Sequence, residues 1–119
     1  MMNSIFGHCH CKKVKFKVKA DSLSDSFYKC DCSLCKKKSI VMKFLNKENF
    51  QIISGHNFLI SYKWNKKIAE HFFCKICGVY THHIRRRDPN QISINVECID
   101  DFSISEDDII ELVNGSTHD

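Results

Sequence analysis

Three cysteines within six residues, Cys30-Asp31-Cys32-Ser33-Leu34-Cys35, restrict this chain more than any other stretch. The C-x-C-x-x-C spacing lets a tight turn aim three sulfurs at one point, as thiolate coordination of zinc at about 2.3 Å requires. No fourth cysteine or histidine follows nearby. Structural zinc is closed by four protein ligands, whereas catalytic zinc keeps one position open. The spacing therefore predicts a three-thiolate zinc with an open position. The alternatives are a structural zinc completed by a histidine, and reduced cysteines in a core.

The other cysteines sharpen this. There are eight in 119 residues, grouped as Cys9 with Cys11, the central three, Cys74 with Cys77, and Cys98 alone. Tight grouping favours metal over a disulfide framework, which belongs to secreted chains. Met1 to His8 also lacks a basic segment followed by an apolar run of signal-peptide length. The expected setting is reducing and cytoplasmic. No apolar run approaches the roughly 18 residues that span a bilayer, so no membrane is expected. A chain of this length is read as one domain, residues 1–119, which buries only about two-thirds of its unfolded surface and gains from metal.

Cys74-Lys75-Ile76-Cys77-Gly78 has knuckle spacing, with a glycine that can take positive φ. It needs two more ligands. By elimination these are Cys9 and Cys11, giving a four-cysteine structural site that joins distant parts of the chain. Cys98, between Glu97 and Ile99 and next but one to Val96, reads as a small buried hydrophobe. His8 and His10 flank the first cysteine pair and can buttress it. His71, His82 and His83 fall on expected strands, where a lone histidine is usually structural.

The formal charge of +4 hints at an acidic partner, but it counts every thiol as neutral. Seven thiolates around two dications lower it by three, to about +1. The basic character that remains is local, in Lys12 to Lys19, Lys36 to Lys38 and Arg85 to Arg87, and the tail from Glu97 onward is acidic.

Val14, Phe16 and Val18 alternate with lysines, the pattern of a half-buried strand. Further short strands are expected at 26–29, 39–45, 50–54, 58–62, 68–73, 79–84 and 92–96, separated by polar or Gly-containing turns; the single Pro89 sits in one of these. About eight short, evenly spaced strands predict an all-β domain. Only the end reads as helical: Ser105 with Glu106, Asp107 and Asp108 forms an N-cap and acidic first turn before Ile109, Ile110, Leu112 and Val113. A last strand through the same apolar residues is the alternative.

Taken in order, Gly7-x-Cys9-x-Cys11, the central C-x-C-x-x-C, Ser54-Gly55, Tyr62, His71-Phe72-Phe73-Cys74-x-x-Cys77-Gly78 and Asn95-Val96-x-Cys98-Ile99-Asp100 resemble the glutathione-dependent formaldehyde-activating enzyme family. That domain is shared with centromere protein V. The resemblance covers about residues 5–102. It implies a β-tent of short antiparallel sheets with two zinc sites. By position Cys9, Cys11, Cys74 and Cys77 match the structural ligands, and Cys30, Cys32 and Cys35 the catalytic ones.

The implied chemistry is that of a carbon–sulfur lyase acting on adducts of glutathione, the expected co-substrate, with a small aldehyde such as formaldehyde. Zinc carrying three thiolates is a weak Lewis acid, suited to holding a soft sulfur. Lys36, Arg85, Arg86 and Arg87 are candidates to hold the glutathione carboxylates, the arginines through paired hydrogen bonds; a solvated loop is the plainer reading of the arginine run. His83 is a candidate for proton transfer. Two rivals use the same residues differently. One is a non-catalytic zinc module that binds protein or nucleic acid through the basic strand, although that strand interleaves no exposed aromatics to stack bases. The other is a thiol-redox sensor whose open site forms a mixed disulfide.

Overall fold

Val14, Phe16 and Val18 are buried while Lys15 is exposed between them, and this alternation fixes strand β2 (Lys15–Lys19) against the interior. The computed structural model describes residues 4–19, 26–30, 34, 37, 40–63, 70–84, 90–100 and 109–113. Strand β1 (Ser4–His8) pairs antiparallel with β2, and β2 pairs on its other side with β5 (Phe50–Ser54), making a three-stranded sheet.

The second sheet has seven strands. In spatial order they are β10 (Ile109–Val113), β3 (Ser26–Cys30), β4 (Met42–Asn46), β9 (Gln91–Asn95), β8 (Tyr80–Ile84), β7 (Glu70–Cys74) and β6 (Leu59–Tyr62). Every pairing is antiparallel except β10 with β3, which is parallel. The expected all-β class holds, and ten strands stand among the described residues. The helical reading of the C-terminal segment is corrected: Ile109, Ile110 and Val113 are β-branched, and their backbone adds a strand along β3. Strand β1 carries no period-two signal because Gly7 interrupts it. It is held by β2 and by a bridge from Gly7 to Ile99.

The two faces of the large sheet differ. One packs against the small sheet, where Phe16 and Val18 meet Phe27, Leu45, Ile92, Ile94 and Val96 in one apolar cluster. The cross-strand pairs Phe72–His82 and His82–Ile94 place His82 on this inner face, stacked on Phe72 with ring centres 4.6 Å apart and 4.7 Å from Phe50 of the small sheet. The opposite face carries His71, His83 and Ser93, which are successive cross-strand partners, then Phe44 opposite Ser93, and Tyr28 opposite Met42. No helix among the described residues is long and apolar enough to cross a membrane.

Candidate metal centre and the buried polar face

Two turns of matching design bring four cysteines together. The first leaves β1: the Cys9 amide donates to the Val14 carbonyl at 3.1 Å, and the Lys12 amide donates to the Cys9 carbonyl at 3.1 Å. The second joins β7 to β8: the Cys74 amide donates to Val79 at 3.0 Å, again five residues on, and the Gly78 amide donates back to Cys74 at 2.8 Å. Each turn closes through a left-handed residue, Lys12 at φ 68° and Gly78 at φ 76°. Glycine holds this conformation without steric cost, whereas lysine must be held there by its surroundings.

The sulfurs of Cys9, Cys11, Cys74 and Cys77 all lie within 4.8 Å of one another. Cys9 Sγ to Cys11 Sγ and Cys11 Sγ to Cys74 Sγ are both 3.6 Å. Four sulfurs placed tetrahedrally at about 2.3 Å from zinc are separated by about 3.8 Å, so the residues present fit a tetrathiolate metal. The donor chemistry fits too. Burial opposes ionisation of Cys77, but the Val79 backbone amide and the neighbouring cysteines outweigh it and bring the thiol down to about 6. Burial likewise opposes Cys74, and the Cys77 and Ile76 amides overcome it, lowering that thiol too. The Lys13 amide favours the Cys11 thiolate, yet burial and the three adjacent sulfurs together push Cys11 up to about 11. A dication is what lets all four ionise together.

The surroundings suit that charge. Phe58 packs against the cysteine cluster, and Lys13 and Lys75 place their ammonium groups 5.3 and 5.6 Å from its ring centre. His8 Nε2 lies 2.8 Å from Asp100 Oδ1 and His8 Nδ1 lies 2.6 Å from the Cys9 carbonyl, tying the first turn to the chain after β9; His10 is exposed. Cys98 is buried, its thiol donating to the Tyr80 carbonyl at 3.7 Å, and burial pushes it up to about 12. It behaves as the small core residue expected.

Of the central three cysteines, Cys30 is the last residue of β3, its backbone opposite Val113. Cys32 and Cys35 lie outside the described residues, as do Lys36 and Arg85, Arg86 and Arg87.

Of one further group, the sequence marked His83 as a proton-transfer candidate and His71 as a strand histidine, but not the two tyrosines and the serine that join them. Tyr28, Tyr80, His71, His83, Ser93 and Asn95 are all buried, on or beside the outer face of the large sheet. The Tyr80 hydroxyl is 3.0 Å from His71 Nδ1 and 2.5 Å from His83 Nδ1, and the Tyr28 hydroxyl is hydrogen-bonded to Ser93 Oγ. By strict alternation Tyr80 and His83 belong to opposite faces. The β7–β8 register shifts between Phe72 and Phe73, where Thr81 is an extra residue, and this bulge puts Tyr80 opposite Phe73 and on the face of His71 and His83.

The model of the family described as glutathione-dependent formaldehyde-activating enzyme matches residues 4–112. The chain belongs to this family. Its match spans both cysteine turns, the central C-x-C-x-x-C and the polar face. Among solved structures, a crystal structure of a Rhodobacter sphaeroides protein, a structural genomics target, is similar with a TM-score of 0.81 and 28% sequence identity; the match covers 90% of this chain and 99% of that one. The fold is thus shared over nearly all of both chains.

Proposed function

We propose that this protein is a lyase-type enzyme that makes and breaks the adduct between a small thiol, such as glutathione, and a small aldehyde, such as formaldehyde. The observation that carries the reading is how the thiols are shared out. Four of the eight cysteines cluster with one another and Cys98 is in the core, and the C-x-C-x-x-C run of Cys30, Cys32 and Cys35 is read from its spacing as a three-thiol set of its own. The four-cysteine cluster then holds a structural zinc. It links the β1–β2 turn of the small sheet to the β7–β8 turn of the large one, and so contributes folding energy.

Cys30, Cys32 and Cys35 would hold a zinc ion, which would supply a soft centre that keeps the substrate sulfur ionised at neutral pH. In the addition direction a sulfur electron pair forms the bond to the carbonyl carbon. The carbonyl π pair moves to oxygen, and that oxygen takes a proton. Cleavage is the reverse, with the hydroxyl proton removed as the C–S pair returns to sulfur. Lys36, Arg85, Arg86 and Arg87 are the residues assigned to the carboxylates of glutathione, through charge-assisted hydrogen bonds. Cys9, Cys11, Cys74, Cys77 and Cys98, the cysteines whose side chains are described, are all free thiols, which suits a reducing compartment.

The experiment is exchange NMR of glutathione with labelled formaldehyde. The zinc-loaded protein should speed interconversion with the hydroxymethyl adduct, Cys98→Ala should retain that rate, and Cys32→Ser should fall to the protein-free rate. A zinc-loaded native protein no faster than the protein-free control would overturn the reading.

A further inference from the structure

Buried sheet faces are ordinarily apolar, because a buried polar group costs about 1–3 kcal/mol unless it is paired. The outer face of this large sheet departs from that. Starting at β3, whose last residue is Cys30, Tyr28 bonds to Ser93 on β9, Ser93 is the cross-strand partner of His83 on β8, and the Tyr80 hydroxyl joins His83 to His71 on β7. Each of these side chains is less than 9% exposed. A bulge, a device that re-aims side chains, is what puts Tyr80 between the two imidazoles. His82, one residue away on the inner face, shows the contrast. It is stacked on Phe72 and packed at a tilt against Phe50, and burial alone brings it down to about 3, which keeps it neutral and structural.

A phenol has one proton to donate, so two imidazole nitrogens on one hydroxyl cannot play the same part. The 2.5 Å contact suits O–H donation and the 3.0 Å contact suits N–H donation. The assignment that follows has Tyr80 donating to His83 Nδ1 and His71 Nδ1–H donating to Tyr80. His83 is then the Nε2–H tautomer and His71 the Nδ1–H tautomer. Such a chain can pass a proton without moving a heavy atom. A proton arriving at His71 Nε2 displaces the Nδ1 proton to Tyr80, the Tyr80 proton moves to His83 Nδ1, and His83 releases its Nε2 proton.

Resting on the lyase reading above, we propose that His71, Tyr80 and His83 form a proton relay that accepts the hydroxyl proton of the thiol–aldehyde adduct during cleavage and returns it during addition. The geometry gives the relay its site, on the face of the sheet that β3 shares and that the small sheet does not cover. It needs no oxidant or further reactant, since the proton lost by the hydroxyl as the C–S pair returns to sulfur is the one the relay carries.

Two readouts test it on the zinc-loaded full chain. Ring 15N NMR of histidine-labelled protein should show one imidazole as the Nδ1–H tautomer and one as Nε2–H, both shifted in Tyr80→Phe. In exchange kinetics, Tyr80→Phe should lower kcat about 100-fold with KM changed less than about threefold. Its backbone bonds to Asn95 and Cys98 do not involve the hydroxyl and should keep the fold. His83→Asn, whose amide oxygen still accepts the phenol's hydrogen bond but passes no proton, should show the same loss of kcat. Unchanged kcat in both variants, or histidine resonances indifferent to Tyr80→Phe, overturns the relay while leaving the native turnover intact. Absence of native turnover overturns the lyase reading itself, and the relay's role with it.

Discussion

Lowering the pH from 7 to 5 should weaken this fold through His82, by an amount the structure lets one work out. Its ring is stacked on Phe72 with centres 4.6 Å apart and lies tilted 4.7 Å from Phe50, and burial lowers it from 6.5 to about 3. Between those values the unfolded chain binds a proton that the folded chain refuses, so stability falls as pH drops below 6.5 and the loss is complete below about 3. Each unit in that window is worth about 1.4 kcal/mol, which makes the loss at pH 5 about 2 kcal/mol. A domain stable by about 5–15 kcal/mol feels this clearly.

The comparison is with His82→Phe, measured by urea unfolding of zinc-loaded protein at both pH values. Cysteine and carboxylate protonation is common to the two proteins and cancels in the difference. The variant should lose about 2 kcal/mol less than the native chain between pH 7 and 5. It should also carry a pH-independent cost of about 1 kcal/mol, because the Thr81 hydroxyl 2.8 Å from His82 Nδ1 loses that partner. Equal losses in the two proteins would refute the reasoning.

Other perturbations follow from the geometry. Cys9→Ser should release the zinc of the four-cysteine cluster and abolish the cooperative thermal transition followed by circular dichroism, since the cluster ties the two sheets. Gly55→Ala should destabilise by more than about 2 kcal/mol in urea unfolding; Gly55 has φ 86°, and an added Cβ would come within 2.0 Å of the Lys13 carbonyl oxygen. Cys98→Ala should cost only about 1 kcal/mol and leave zinc content unchanged, because that thiol packs in the core and its hydrogen bond to the Tyr80 carbonyl is long, at 3.7 Å.

Local pattern carried much of the fold. The Val14–Phe16–Val18 alternation and the 50–54 strand reappear as β2 and β5 because each has one apolar face and one wet one. The meeting of Cys9 and Cys11 with Cys74 and Cys77 was also legible, since four-coordination leaves few ways to complete a knuckle. What stayed hidden depended on long-range pairing. Strand β1 exists because β2 and Ile99 accept it, and β10 because β3 offers a free edge, against an N-cap signal that favoured helix. The polar face was hidden for a different reason. Period-two reading separates Tyr80 from His83, and only the bulge at Thr81, a property of how β7 and β8 register, joins them. Three adjacent strand histidines thus have unlike roles, His82 packed between phenylalanines and His71 and His83 sharing a phenol.

The division of the cysteines into a closed four-thiol cluster and an open three-thiol site is tested most directly by counting zinc per chain, in the native protein and in Cys32→Ser, under reducing conditions with and without glutathione. The account predicts two zincs in the native chain, one in the variant, and glutathione binding only where both are present. Two zincs that persist in Cys32→Ser and ignore glutathione would contradict it.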